Sequence, residues 1–291
     1  MTLVHGIGNL QKGMSSDRAA TLLAGAARPK LELGLRKAGL AHVAIPELVM
    51  AYYADLLADG MESQSGAPAG GLESLSPAEL SVVWEWLLAM GVPEPEEPQA
   101  AWLAPVRQGM AWLIRTKGGA ERAQTSRAKV MDRLERVVCA LIQEVDTYTS
   151  RPQTRAAARA RVAGALQAGG GCQVVVAHSL GSVVAYETLH AFPEIKVELL
   201  VTLGSPLGLP ALSRTLEPAL QYGKGARPPG VGRWVNIADV GDLVALPPEL
   251  GGLFAVDAHH STDIGLFDPH TLGAYLSNGM AAAAIAAYLQ D

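Results

Sequence analysis

Cysteine is scarce: the chain has two in 291 residues, Cys139 and Cys172. Neither sits in a CxxC or Cys/His spacing, so the expectation is free thiols, with no disulfide framework and no metal site. Basic residues are also in short supply. Lys and Arg number 23 against 28 Asp and Glu, a formal net charge of −5. Without a basic excess there is no broad positive face, and nucleic acid is not an expected partner. Long apolar runs are absent too. The start, MTLVHGIGNL, has no basic segment leading into an apolar one, and the most apolar tail, GMAAAAIAAYLQD, is too short to span a bilayer. The expectation is therefore no secretory leader, no stable membrane insertion and a cytoplasmic location. No internal repeat is visible. What the chain does have is 49% hydrophobic residues beside 18% charged ones. That composition can bury a large core, and the length suits one α/β domain over 1–291.

Periodicity sets out the elements. TLVHG is a short β-type run ending in glycine, and SSDRAATLLAGAARPKLELGLRKAGL reads as a helix with Ser and Asp at its start and Gly39 at its end. AHVAIPELVMAYYADLL opens as a strand, and residues 61–77 read as a Gly/Ser/Ala/Pro loop. Two apolar stretches follow, ELSVVWEWLLAM and AAWLAPVRQGMAWLIRT, joined by the stiff connector GVPEPEEP. They define a helical, cap-like insertion over residues 60–126. Val130, Leu134, Val137, Val138 and Leu141 then form one apolar stripe of a helix, and TRAAARARVAGALQAGG forms a second helix ended by glycines. Continuous apolar strands alternate with helices beyond that point: CQVVVA, KVELLVTLG and RWVNIA. Strands of this kind belong to a mostly parallel sheet covered by helices on both faces.

The stretch VVVAHSLGS, residues 174–182, places a serine where a buried strand turns into a helix. Small residues flank it, Ala177 and Gly181, as a sharp turn requires when strand and helix backbones pass close together. The turn exposes the hydroxyl of Ser179 at the C-terminal edge of the sheet, and the helix N-terminus beside it favours negative charge. With VHGIGN upstream, these motifs resemble the α/β-hydrolase family, and within it the lipase-like and esterase-like serine hydrolases. The resemblance covers both ends of the chain but not the middle. The first glycine of the usual G-x-S-x-G pattern is Ala177 here, a small departure.

The resemblance implies a Ser, then Asp or Glu, then His order along the chain. His190, His259, His260 and His270 follow Ser179. His270, in FDPHTLGAYL, fits the position of a base in the loop before the final helix; His260 and His259, in LFAVDAHH, are the alternatives. The acid is Asp242 of GDLVA or Asp239 directly off the strand, with Asp242 matching the family pattern better. The oxyanion donors implied are the backbone N–H groups of Leu180 and Ile7. His5 is read as shaping the loop rather than as catalytic. Ser205, in TLGSPLGLP, lines a substrate pocket or simply makes a turn. Four of the five tryptophans, Trp84, Trp86, Trp102 and Trp112, lie in the insertion. Trp84 and Trp112 are candidates to contact an apolar acyl chain, the alternative being that they pack on the core or at a dimer face.

The resulting expectation is hydrolysis of a carboxylic ester through an acyl-enzyme, without metal or organic cofactor, on a small-molecule or lipid-like acyl substrate. The same machinery serves a thioesterase, an amidase or an acyl-transfer cyclase. A phospholipase acting at a membrane surface and an inactive binding protein are the other readings. The sequence leaves the oligomeric state open.

Overall fold

Apolar side chains on both faces of successive strands build the centre of the molecule. The computed structural model describes residues 1–62, 71–94, 103–117, 127–168, 174–242, 244–245, 249–264 and 270–289. Six strands form one sheet in the order β2-β1-β3-β4-β5-β6: β1 (Thr2–Val4), β2 (Val49–Ala51), β3 (Val174–His178), β4 (Val197–Leu203), β5 (Val231–Asp239) and β6 (Ala258–Thr262). Every pairing is parallel. Strand alternation then sorts the side chains. Val175 and Ala177 join one apolar cluster, while Val174 and Val176 join another on the opposite face.

The helices divide accordingly. On the second face lie α1 (Ser16–Lys37), α9 (Leu272–Asn278) and α10 (Met280–Ala286), contributing Leu31, Leu276 and Ile285. The first face takes α2 (Ala54–Glu62), α3 (Pro77–Ala89), α4 (Leu103–Lys117), α5 (Arg127–Ser150), α6 (Pro152–Gln167), α7 (Leu180–Ala191) and the short α8 (Pro210–Ser213). Of the stripe expected on α5, Leu134, Val138 and Leu141 are buried and Val137 packs on the same core, while the Val130 side chain lies outside what the structure describes. The strand expected to open AHVAIPELVMAYYADLL is not there: residues 41–48 form a turn and irregular chain, and only Val49–Ala51, eight residues on, pairs with β1.

Within 60–126, α3 begins at a reciprocal cap. Glu79 N–H donates to the Ser76 side chain, the Ser76 N–H donates to Glu79, and Pro77 opens the first turn. This helix packs on α4, α5 and α8. Residues 63–70, 95–102 and 118–126, with Trp102 among them, lie outside the described residues, as does Cys172. Cys139 is a buried free thiol. Among the described residues no helix is long and apolar enough to cross a membrane.

Topology creates a crevice. The chain starts at β1, moves outward to β2, returns across β1 to β3 and from there proceeds the other way. The helices leaving β1 and β3 lie on opposite faces, so the loops at the C-terminal ends of these neighbours part. In open α/β sheets such a switch point is where ligands bind.

Candidate active site

Ser179 sits at that crevice. Its backbone stands at φ 53°, ψ −132°, a region that side chains rarely occupy. The Ser179 N–H still donates to Leu203 O at 3.0 Å, continuing the ladder to β4. The Ser182 hydroxyl donates to Ser179 O at 2.6 Å, and Ser205 Oγ lies 2.6 Å from Ser182 Oγ. Close backbone approach explains the glycines. A Cβ at Gly181 would stand 2.2 Å from His5 O, and one at Gly6 would stand 2.6 Å from Ser179 Cβ. The end of β1 is thus pressed against the turn that carries Ser179.

The described residues place one histidine on the hydroxyl. His270 Nε2 lies 2.7 Å from Ser179 Oγ, and His270 Nδ1 lies 2.8 and 2.9 Å from the two carboxylate oxygens of Asp242. A carboxylate only accepts, so Nδ1 carries the proton and Nε2 is left to accept from the serine. Asp242 is fully buried, and the His270 side chain is 8% exposed. Val244 N–H and the Tyr275 hydroxyl also donate to Asp242.

The other candidates are placed elsewhere. Asp239 ends β5; its carboxylate accepts from Gly241 N–H and Ile264 N–H, binding its own turn to the exit of β6. Burial raises its carboxyl above the ordinary range. His259 is engaged with Asn236 and Ser261, His260 is exposed on the edge strand, and His190 faces Ala226 O on α7.

The loop after β1 is shaped from within. Tyr53 N–H donates to His5 Nε2 at 3.1 Å, so His5 Nδ1 holds the proton and donates to Gly6 O at 2.7 Å. Burial drives this imidazole down to about 4, which keeps it neutral, and the Tyr53 ring stacks on it at 4.3 Å. Asn9 Nδ2 donates to Gly6 O as well. In a planar trans peptide, C=O and N–H point in opposite directions. Fixing Gly6 O with two donors therefore fixes the Ile7 N–H pointing the other way. Neither Ile7 N–H nor Leu180 N–H donates to another described residue.

Ser205 is 2% exposed, with its hydroxyl turned to Ser182 and to Leu207 N–H. Trp84 is buried in the insertion, its ring beside Gly109 of α4, and Trp112 is half-buried against the same cluster. Trp86 instead lines an apolar cleft together with Val82, Ile142, Leu209 and Pro210.

Other contributors escaped the sequence reading. Tyr275 lies five residues beyond His270, the one aromatic of the helix LGAYLSN, and that was its only signal. His178 is buried with both ring nitrogens lacking a partner among the described residues, its ring 4.8 Å from that of His270. Burial, then the facing His270 and His5, push this imidazole well below the ordinary range, so it stays uncharged. Glu144 of α5 accepts from Gly8 N–H at 2.7 Å, a contact that spans too much sequence to leave a local pattern. Among the described residues no cluster of three His, Cys, Asp or Glu side chains is placed to hold a metal ion.

A hydroxyl, an imidazole and a carboxylate in hydrogen-bonded series can move a proton off the serine as its oxygen attacks an electrophile. Compared with protein-family models, curated proteins and solved structures, the chain matches none.

Proposed function

We propose that this chain is a serine hydrolase of the α/β-hydrolase type that cleaves a carboxylic ester. The observation that carries the reading is the 2.7 Å contact from Ser179 Oγ to His270 Nε2, with His270 Nδ1 on Asp242. The strained turn at the C-terminal end of β3 and the parallel sheet order support it. So do the Ile7 and Leu180 N–H groups, which donate to no other described residue.

Ser179 Oγ attacks the ester carbonyl while His270 Nε2 takes its proton. Asp242 stabilises the imidazolium without itself becoming protonated. The Ile7 and Leu180 N–H groups receive the oxyanion; in other serine hydrolases the loss of one such donor costs about 3 kcal/mol. Collapse breaks the bond to the leaving alcohol, whose oxygen takes the proton from His270. Water repeats the sequence on the acyl-serine and releases the acid. Neutral His178 beneath His270 adds no positive charge to compete with the imidazolium.

A fluorophosphonate reagent tests this reading. It should label the folded protein once, and peptide mapping should put the adduct on Ser179. Labelling elsewhere, or none, would refute the mechanism. An ester panel varied in acyl length, run beside thioesters and a peptide amide, then identifies the bond cleaved.

A further inference from the structure

The acid of this site is held by more than its histidine. Asp242 Oδ1 accepts from Val244 N–H at 2.9 Å, and Oδ2 lies 2.7 Å from the Tyr275 hydroxyl. That hydroxyl is also 2.9 Å from Asp239 N–H, which can only donate. The Tyr275 oxygen therefore accepts from Asp239, and its single proton goes to Asp242. The phenol is 1% exposed.

Two features show that this contact is built into the fold. Gly204, at the exit of β4, leaves room for it. A Cβ there would stand 2.7 Å from Asp242 Oδ2, 3.0 Å from Tyr275 Cε2 and 3.1 Å from the Tyr275 hydroxyl. The base and the phenol also share one local frame. His270 precedes α9 by two residues, Thr271 caps that helix by accepting from Ala274 N–H at 3.2 Å, and Tyr275 follows one turn on. A single cap thus brings imidazole and phenol to the same carboxylate, to Nδ1 contacts on both oxygens and a phenol contact on Oδ2.

We propose that Tyr275 is a positioning residue of the hydrolase, acting through Asp242: its hydroxyl fixes the carboxylate against His270 and draws off part of the charge that Asp242 presents to the imidazole. This inference rests on the reading of Ser179 as nucleophile. The titratable groups facing the cage are His270, His178 and Asp239. Of these, His270 is the one joined both to Asp242 and to Ser179.

The sign of the effect follows from charge. Without the phenol, Oδ2 keeps more negative charge for the imidazolium, so protonation of His270 becomes easier. The acid limb of the rate profile then moves to higher pH, and the plateau falls because the carboxylate has lost an anchor.

The experiment is the rate of fluorophosphonate labelling at Ser179 as a function of pH, in wild type, in Tyr275→Phe and in protein carrying 3-fluorotyrosine at position 275. Tyr275→Phe should lower the plateau about tenfold, the scale of one hydrogen bond to a charged group, and shift the acid limb upward. The fluorinated ring keeps its shape and donates more strongly, so its limb should shift downward, and it guards against a Phe variant that fails to fold. A purely structural tyrosine would change the melting temperature and leave both limbs in place. Labelled wild type with unmoved limbs in the variants overturns this inference alone. Unlabelled wild type overturns the nucleophile reading, and the inference falls with it.

Discussion

Ser179 is held in a backbone conformation that its own side chain disfavours, at a cost of about 1–3 kcal/mol. Such strain persists only when neighbours over-determine it. Here they are the ladder bond to Leu203, the Ser182 hydroxyl on Ser179 O and the His5 carbonyl pressed to Gly181. The hydroxyl is thereby presented to one imidazole rather than to several. His270→Ala should lower turnover roughly a thousandfold or more with the fold intact, whereas His259→Ala and His260→Ala should cost far less. Asp242→Asn should likewise cost far more than Asp239→Asn, because Asp239 serves the Gly241 and Ile264 amides rather than the imidazole. Rates of the five variants on one ester give the ranking; a reversal within either set would reassign that role. At this scale the grouping of Ser179 with His270 and Asp242 was legible, because the turn leaves a local trace and the resemblance supplied the chain order. Ser182, Asn9 and Tyr53 were not: each works by aiming a side-chain polar atom at a backbone group of the turn or the loop, the Tyr53 hydroxyl donating to His5 O. That direction has no sequence signature.

Helix α5 shows the same division one level up. Its apolar stripe was readable from spacing alone, since the stripe is a property of one helix. Its polar partners were not, because they come from other elements. Tyr148 of α5 donates to Glu187 of α7 at 2.7 Å, and Arg155 of α6 closes on the same carboxylate, a buried group of three helices. Glu144, also on α5, reaches the loop after β1 through Gly8 N–H. Burial raises its carboxyl from an ordinary 4.5 to about 7. The folded chain therefore holds this proton where the unfolded chain has released it. The contribution to stability is full below the unfolded value and is lost as pH rises through about 7. Glu144→Gln keeps an acceptor oxygen for Gly8 and cannot ionise. Between about pH 5 and about pH 8.5, wild type should lose about 2 kcal/mol relative to Glu144→Gln. Urea unfolding of both proteins at the two pH values measures the difference. Parallel pH dependences would show that Glu144 does not titrate against this loop.

Across the whole molecule, the return from β2 to β3 is where the sequence said least about function. A Trp-rich insertion invites a substrate pocket, yet apolar periodicity cannot separate a side chain that meets substrate from one that meets another helix. In the structure Trp84 and Trp86 differ in their neighbours. Trp84 faces Gly109 within the helical layer, while Trp86 reaches the cleft between α3, α5 and the Leu209–Ala211 segment. That segment leaves the C-terminal end of β4 a few residues beyond Ser205, which is joined through Ser182 to the turn of Ser179. An acyl chain leading away from Ser179 along α8 would therefore meet Trp86 before Trp84. Trp86→Ala should lower kcat/KM for octanoyl esters more than for acetyl esters, by about ten- to a hundredfold in the ratio, since an apolar contact is worth a few kcal/mol at most. Trp84→Ala should instead lower the melting temperature and leave the ratio alone, because it opens a cavity inside the helical layer. The two ratios, measured with a thermal melt of each variant, decide the matter. An unchanged octanoyl-to-acetyl ratio in Trp86→Ala would make the cleft a packing defect and the α3–α5 layer scaffold alone.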